Sequence, residues 1–584
     1  MADQKTSPAD GTQKQDTGQK ELVSKLRAFK KYARDFRVRY EVMWYELQLI
    51  KDGDHYKLVN RTANSSAGTV QVVPITKRPA EIRRTINKFR ALLRSVKAFT
   101  TMTQVRFDVP GSSEEAQIAS HYLNWFVESN DEFRRTIRNV LEYGFLRSVG
   151  YFDVYWDNDK LLPTVASRDP FDLLDDPSHR FMVKMYRKSL KDLREEKDVD
   201  NNPAFKDVPE NLQATKKLSS SEIFQNYLAA KYNPTATQNK DVDEVMLEEY
   251  HVLGRDAEGK PKIDIITLCE EGSGDHVFRE DVETGNDFRF IPYYPEERPN
   301  DIFNEPWFKD AVDPQRGINN VYTHIEEWIR TINKGRLTKH KDTKIDRISD
   351  KDGQIVEYDG PAERKPEWIQ PPTMTNDPFN FLSVSERLME DIIGIHPSEI
   401  RKTETATGIG FLISNDQTNM SEPFENLKTS LIKVAKRILK LSVKHMQVSK
   451  DIFWWEKGVM KEGQVISSEA ENKPDAARLL KYFDTVRVEL VPIGAFQALA
   501  RRQELLDLYK AGVLKDPQTI LEGGAYGDVK EITEREKAAR AQEQMTSIAS
   551  AGGGNPPTIV NPEAAPRQDL ARTAAELKAV IGHQ

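Results

Sequence analysis

Five cations recur along one stretch of the chain: Lys433, Lys436, Arg437, Lys440 and Lys444, with no acidic residue between Lys428 and Lys444. At steps of three and four they form a stripe on a helix, and such a stripe can attract the phosphates of a polyanion. The same spacing suits a plain solvated surface, and sequence does not tell which way the face points. Other chemistries are tempting but incomplete. Gly254-Arg255-Asp256-Ala257-Glu258-Gly259-Lys260 matches seven positions of a phosphate-binding loop, but Pro261 stands where a Ser or Thr hydroxyl should meet magnesium. The segment also lies between two strand-like runs, so a hairpin turn is expected. The acidic run Glu280-Asp281-Val282-Glu283 alternates as a solvated hairpin would, and the ten histidines form no His-Glu-x-x-His pair. No catalytic residue, metal site or cofactor is therefore expected.

The element that must carry the cationic stripe is a long helix. Leu427, Leu431, Val434, Ile438 and Leu441 give it an apolar face beside the charged one. A Thr- and Gly-rich loop (Thr403, Thr405, Thr407, Gly408, Gly410) leads into it. Upstream, Pro314 opens a helix of about 20 residues, with Ile318, Val321, Ile325, Ile329 and Ile332 on one face. A small segment follows, with strand-like pieces at Thr343–Ile348 and Gln354–Tyr358, and Asn380 to Ile393 returns as a helix with Phe381, Leu388 and Ile392. The pattern is a helix out, a small knob and a helix back. The knob holds a second basic cluster, Lys334, Arg336, Lys339, Lys341 and Lys344, which suits protein binding and plain solvation equally.

The remainder alternates helix and strand. Residues 1–19 are polar and rich in Gly, Ser, Thr and Gln, so disorder is expected there. Basic helices are expected from Leu22 to Tyr40 and from about Ala80 to Phe99, and further helix from Phe133 to Leu146. Phe152, Val154 and Trp156 alternate with Asp153, Tyr155 and Asp157, which suits a strand. Lys188 to Lys240 suits a helical insertion, Glu244 to Asp287 is strand-like, and Val486 to Val491 is one more strand.

Composition narrows the classes further. The chain has 584 residues, 30% of them charged, and a net charge of −7, which argues against a simple non-specific DNA binder. No apolar run reaches membrane-span length, no signal-peptide pattern opens the chain, and Cys269 is the single cysteine. Core packing is the expectation for that thiol.

Taken in order, several stretches resemble a tailed-bacteriophage portal protein, over roughly Leu22 to Met545. They are Val140-Leu141-Glu142-Tyr143-Gly144 running into Gly150–Asp157, and the Asp175-Asp176-Pro177 turn. Pro306 to Asn320 follows, with Pro314, Gln315 and Asn319, and then Ile393-Gly394-Ile395-His396-Pro397 before the Thr/Gly loop. The last is Val491-Pro492-Ile493-Gly494 before Ala500–Leu506. The resemblance implies an α+β, mainly helical portal fold with wing, stem, clip and crown. Its wing would be 20–312 and 411–491, its stem helices 313–333 and 376–393, and its clip 334–375. The tunnel loop would be 394–410 and the crown 492–545, with a flexible tail at 546–584. It further implies a homo-oligomeric ring, usually of twelve copies, assembled in the host cytoplasm and placed at one capsid vertex of the virion. Double-stranded DNA would pass through it, driven by a separate large terminase that docks on the clip. Capsid, scaffolding and neck or tail adaptor proteins would be further partners. The alternative class is a nucleic-acid-processing enzyme of a phage, which would need the phosphate loop or carboxylate cluster that the sequence lacks.

Overall fold

One helix, α1 (Ala9–Lys51), serves three separate cores in the computed structural model, which describes residues 9–492 apart from internal stretches, the longest being 213–243, 346–357, 398–411 and 466–484. The chain divides into two compact units, Met1–Trp454 with Met460–Ala498, and Trp455–Val459 with Leu499–Gln584. All that follows concerns the first. The expected crown helices and C-terminal tail lie outside the described residues.

Helix α1 starts at Ala9, inside the segment expected to be disordered. Once packing fixes the turns further along, each added residue gains one backbone bond at little cost, so polar residues can extend a helix they could not start. Val23, Leu26 and Ala33 pack with Leu174, Phe181, Val183 and Tyr250; Trp44 and Tyr45 pack with Phe171 and Phe303; Leu47 and Ile50 enter the main core. Between these groups lies Arg37, 1% exposed, whose guanidinium donates to the carbonyls of Pro170, Phe171 and Leu173.

The largest sheet is antiparallel, in the order β10-β9-β8-β7-β6. Its strands are β6 (Leu173–Asp175), β7 (Phe181–Ser189), β8 (Glu244–Arg255), β9 (Pro261–Cys269) and β10 (Val277–Thr284). Helix α1 covers one face. The other buries Val245, Leu247, Phe278 and Cys269 against Leu193 of the short helix α5 (Leu190–Glu195), with Phe205 and Leu212. Cys269 is thus a core residue, as expected. Of the expected insertion at Lys188–Lys240, α5 is helical and 213–243 lies outside the described residues.

A second sheet pairs β11 (Phe290–Tyr293), β4 (Gly150–Asp157) and β5 (Leu162–Arg168). It sits against α4 (Asp131–Arg147), α3 (Glu114–Ser129), α2 (Lys88–Thr101) and the long α8 (Ser421–His445) in the main core. Gly150 is required where α4 turns into β4, because a Cβ there would lie 2.2 Å from the Val140 carbonyl oxygen. Strand β18 (Arg487–Pro492) pairs with β3 (Thr103–Asp108), so the segment after α8 closes on the N-terminal half. The hairpin of β1 (Lys57–Arg61) with β2 (Val70–Pro74) completes this part; β16 (Lys450–Glu456) pairs with β17 (Val459–Val465), and its tip, Trp455–Val459, is counted with the second unit. The β16–β17 pair had no expectation in the sequence.

Strand β4 lies where the alternation placed it, and Gly150 to Val154 are all buried. Asp153, fully buried, is tolerated because cations surround it. Arg168 Nε donates to it at 2.7 Å, Arg289 Nη2 at 3.2 Å, and Lys184 Nζ lies 3.9 Å away. Glu249 joins the same cluster through His251 Nε2 at 2.7 Å and Arg289 at 3.6 Å. Burial pushes the Glu249 carboxyl up, yet Lys184, the His251 hydrogen bond and Arg289 hold it well below the usual carboxylate range. Burial lowers the Lys184 ammonium to about 8, against the pull of Glu249 and Asp153. Carboxylates and cations desolvated together hold the two sheets in one register, because either sign left alone would be costly.

Candidate functional site

The helix–knob–helix unit is formed by α6 (Val312–Glu327), a π-helical turn at Trp328–Ile332, four short strands and α7 (Asp377–Ile393). In the knob, β12 (Arg336–Thr338) pairs with β15 (Glu367–Ile369), and β13 (Lys344–Ile345) with β14 (Tyr358–Asp359). The second pairing overlaps the two expected strand-like pieces, at Lys344–Ile345 and at Tyr358. The first helix differs from expectation: its α-helical hydrogen bonding gives way at Trp328, and Ile329 is 49% exposed.

Ile318 is buried as expected and Val321 and Ile325 pack against the main core, but a second part of the buried face is polar. Gln315, Asn319 and Thr323, at successive steps of four, are each 1% exposed or less and act as a ladder for the extended chain entering α2. Gln315 Oε1 accepts from Phe89 N at 2.7 Å, and Gln315 Nε2 donates to Ile86 O at 2.6 Å. Asn319 Oδ1 accepts from Ile86 N at 2.9 Å, its Nδ2 meets His55 Nδ1 at 2.7 Å, and Thr323 Oγ1 accepts from Arg84 N at 3.2 Å. These side chains take the place of a neighbouring strand for backbone groups that would otherwise be unpaired. Gln315 and Asn319 had drawn notice only through the family resemblance; their spacing of four beside a partnerless segment was the available physical signal.

Helix α7 has the complementary anomaly. Leu382, Ser385, Met389, Glu390 and Ile393 are buried. Phe381, Val384 and Leu388, at steps of three and four along one face, are 50%, 65% and 47% exposed, so the apolar face assigned to Phe381 and Leu388 is turned outward within one chain. The root of α7 is fixed firmly. Gly394 (φ 82°) caps it by donating to Glu390 O at 2.9 Å, a conformation that favours glycine, and Trp307 Nε1 donates to Ile393 O at 3.3 Å. His396 then bridges two carboxylates, Asp416 at 2.8 Å and Asp391 at 3.1 Å. Burial lowers its imidazole, but the two carboxylates outweigh this and raise it above the ordinary histidine value.

The cationic stripe of α8 splits up. Its apolar face is as expected, with Leu427, Leu431, Val434, Ile438 and Leu441 all buried. Arg437, however, is 5% exposed and is spent inside the protein. Its Nε donates to Val154 O at 2.9 Å, Nη1 to Asp287 O at 2.8 Å and Nη2 to Glu283 at 3.0 Å. It lies on the sheet side of the helix and is not available to a polyanion. Lys440 is half-buried with its ammonium 3.3 Å from Asp287, and Lys436 is half-buried. Lys433 and Lys444 alone of the five are exposed. The structure therefore does not bring the five cations together on one open surface.

The loop residues Thr403, Thr405, Thr407, Gly408 and Gly410 lie outside the described residues. In the knob, Lys341 is exposed; Arg336 and Lys344 lie on β12 and β13, and Lys334 and Lys339 lie outside the described residues. The phosphate-loop look-alike is the β8–β9 turn. Asp256 Oδ1 already accepts from Glu258 N (2.9 Å) and Lys260 N (2.8 Å), so the amides a phosphate would need are taken. Glu283, from the acidic run, points to Arg437. Among the described residues no group of three or more His, Cys, Asp or Glu side chains could hold a metal ion, and no helix is long and apolar enough to cross a membrane. No family model matches the chain, and no curated protein matches it in sequence.

Proposed function

We propose that this chain is one subunit of a portal-type ring, a structural channel at a capsid vertex through which a separate terminase motor drives double-stranded DNA. One observation carries the reading: the out-and-back pair α6–α7 keeps a polar ladder on its own subunit and turns Phe381, Val384 and Leu388 to solvent. A helix pair that meets its own core through a polar ladder and a few apolar residues, and still leaves three large apolar side chains outside, calls for an apolar partner, and a second copy placed round a ring supplies one for every subunit. The knob at the far end of the pair, with its basic residues, is the docking site for the terminase and later for neck or tail adaptors. Capsid and scaffolding proteins are the partners of the body outside the stem.

Sedimentation of the full chain at micromolar concentration, followed by class averages from negative stain, tests this. A closed ring with a central hole and no ATP hydrolysis is the expected result. In F381D/L388D the chain should keep its helix content and thermal unfolding but sediment as a monomer. A wild-type chain that stays monomeric at tens of micromolar, or that hydrolyses ATP, overturns the reading.

A further inference from the structure

Two other helices carry cations that the protein does not use. On α2, Arg90 and Arg94 are exposed and share a face with half-buried Lys97; on α4, Arg134, Arg135 and Arg138 are exposed on the face opposite Phe133, Ile137 and Leu141. None of these five arginines makes an ion pair among the described residues. The two stripes meet at one point. Glu142, a turn beyond Arg138, bonds both Lys97 of α2 and Lys51 at the end of α1. Burial pushes the Glu142 carboxyl up, but the two lysines together hold it below its ordinary range, so it stays charged at the junction. Glu132 lies to one side of the arginine face.

We propose that this joined α2–α4 strip is a docking surface for the phosphate backbone of duplex nucleic acid, independent of any passage through a ring. Guanidinium groups meet phosphate oxygens through paired N–H donors, and five of them on two braced helices lose little freedom on binding. Ala91 and Ala98 lie on the open side of α2, and among the described side chains of α2 and α4 no large apolar or aromatic residue is exposed. The strip therefore has no platform for stacking unpaired bases, and single strands gain nothing from it beyond charge. Nor does it carry an exposed Asn or Gln to read base edges, which leaves backbone contact without sequence preference. Its net positive charge stands out on a chain whose overall charge is −7.

The test uses the full-length chain and a covalently closed circular duplex, which cannot thread a closed ring, so any binding reports an outer surface. Affinity measured across a salt series should fall steeply with salt for wild type. In R134E/R135E/R138E the slope of log affinity against log salt should drop by about 2–3, and affinity near 0.1 M salt at least tenfold, since each phosphate contact contributes about 0.9 to the slope. K433E/K444E on α8 should bind the circle as wild type does. If the glutamate variant fails to fold, R134Q/R135Q/R138Q replaces it, with the same direction and a smaller effect. A wild-type chain that ignores the circle at about 50 mM salt, where such contacts are strong, or a triple variant with an unchanged slope, overturns the proposal. So does binding of polyglutamate without binding of the circle, which would assign the strip to an acidic protein. A monomer that binds the circle would remove the ring and leave this surface standing; a ring that ignores it would do the reverse.

Discussion

Helices α8 and α4 carry basic residues at similar spacing and end in opposite circumstances. On α8 the middle cation, Arg437, is folded over β4 and the β10–β11 connection, where two carbonyls and Glu283 consume its donors. On α4 the arginines face solvent with no ion pair among the described residues. The difference lies in what packs beside each helix. Helix α8 is covered widely by the three-stranded sheet, so its apolar and cationic faces both reach protein, whereas α4 turns its arginines away from the core it shares with α2, β4 and β5. A row of cations thus says that charge is present; availability depends on whether a neighbouring chain segment brings acceptors to it.

The comparison breaks most visibly at Arg437. R437M should cost about 2–4 kcal/mol in denaturant unfolding, because Val154 O, Asp287 O and a half-buried Glu283 carboxylate lose their partner. A cost near that of a surface change would mean that α8 is not anchored as described.

Lys184 sharpens the contrast through pH, since a buried ammonium titrates where a guanidinium does not. With its pKa lowered from 10.5 to about 8, the folded chain releases a proton that the unfolded chain keeps between those values. Stability of wild type relative to K184M should therefore rise as pH climbs from about 8 toward 10.5 and stay flat below that window. Thermal unfolding of both proteins across this range checks the sign; a fall with rising pH would contradict the placement of Lys184 in the Asp153–Glu249 cluster.

The smallest effect is expected where the two stripes are both open. K433M on α8 and R138M on α4 should each shift stability by no more than about 0.5 kcal/mol. A larger loss at Arg138 would show that it has a structural partner and does not belong to the free strip.

Much of the fold could be foreseen because it rests on local periodicity. The steps of Leu427, Leu431, Val434, Ile438 and Leu441 place a helix with one buried face whatever packs against it, and the glycines and Asp256 of the β8–β9 connection mark a turn in any context. The out-and-back order of α6, knob and α7 followed from Pro314 and from the apolar steps on either side of a short strand-like segment. What failed were the inferences about the cationic face of α8 and the apolar face of α7, since each depends on what packs beside it. The burial of Asp153 was not legible either, because its three cations come from β5, β7 and the segment before β11, and only Arg168 is close in sequence.

Sequence alone determined the place of most long helices and strands, the absence of a complete phosphate-binding motif, the acidic balance of the whole and the cationic stripe of α8. Those properties depend on residue type and short spacing. Tertiary structure decided that Gln315, Asn319 and Thr323 form the inner face of α6, that Phe381, Val384 and Leu388 look outward, and that α4 rather than α8 carries the open guanidinium groups. A side chain's energy depends on the donors, acceptors and solvent around it, and those neighbours are brought in from hundreds of residues away.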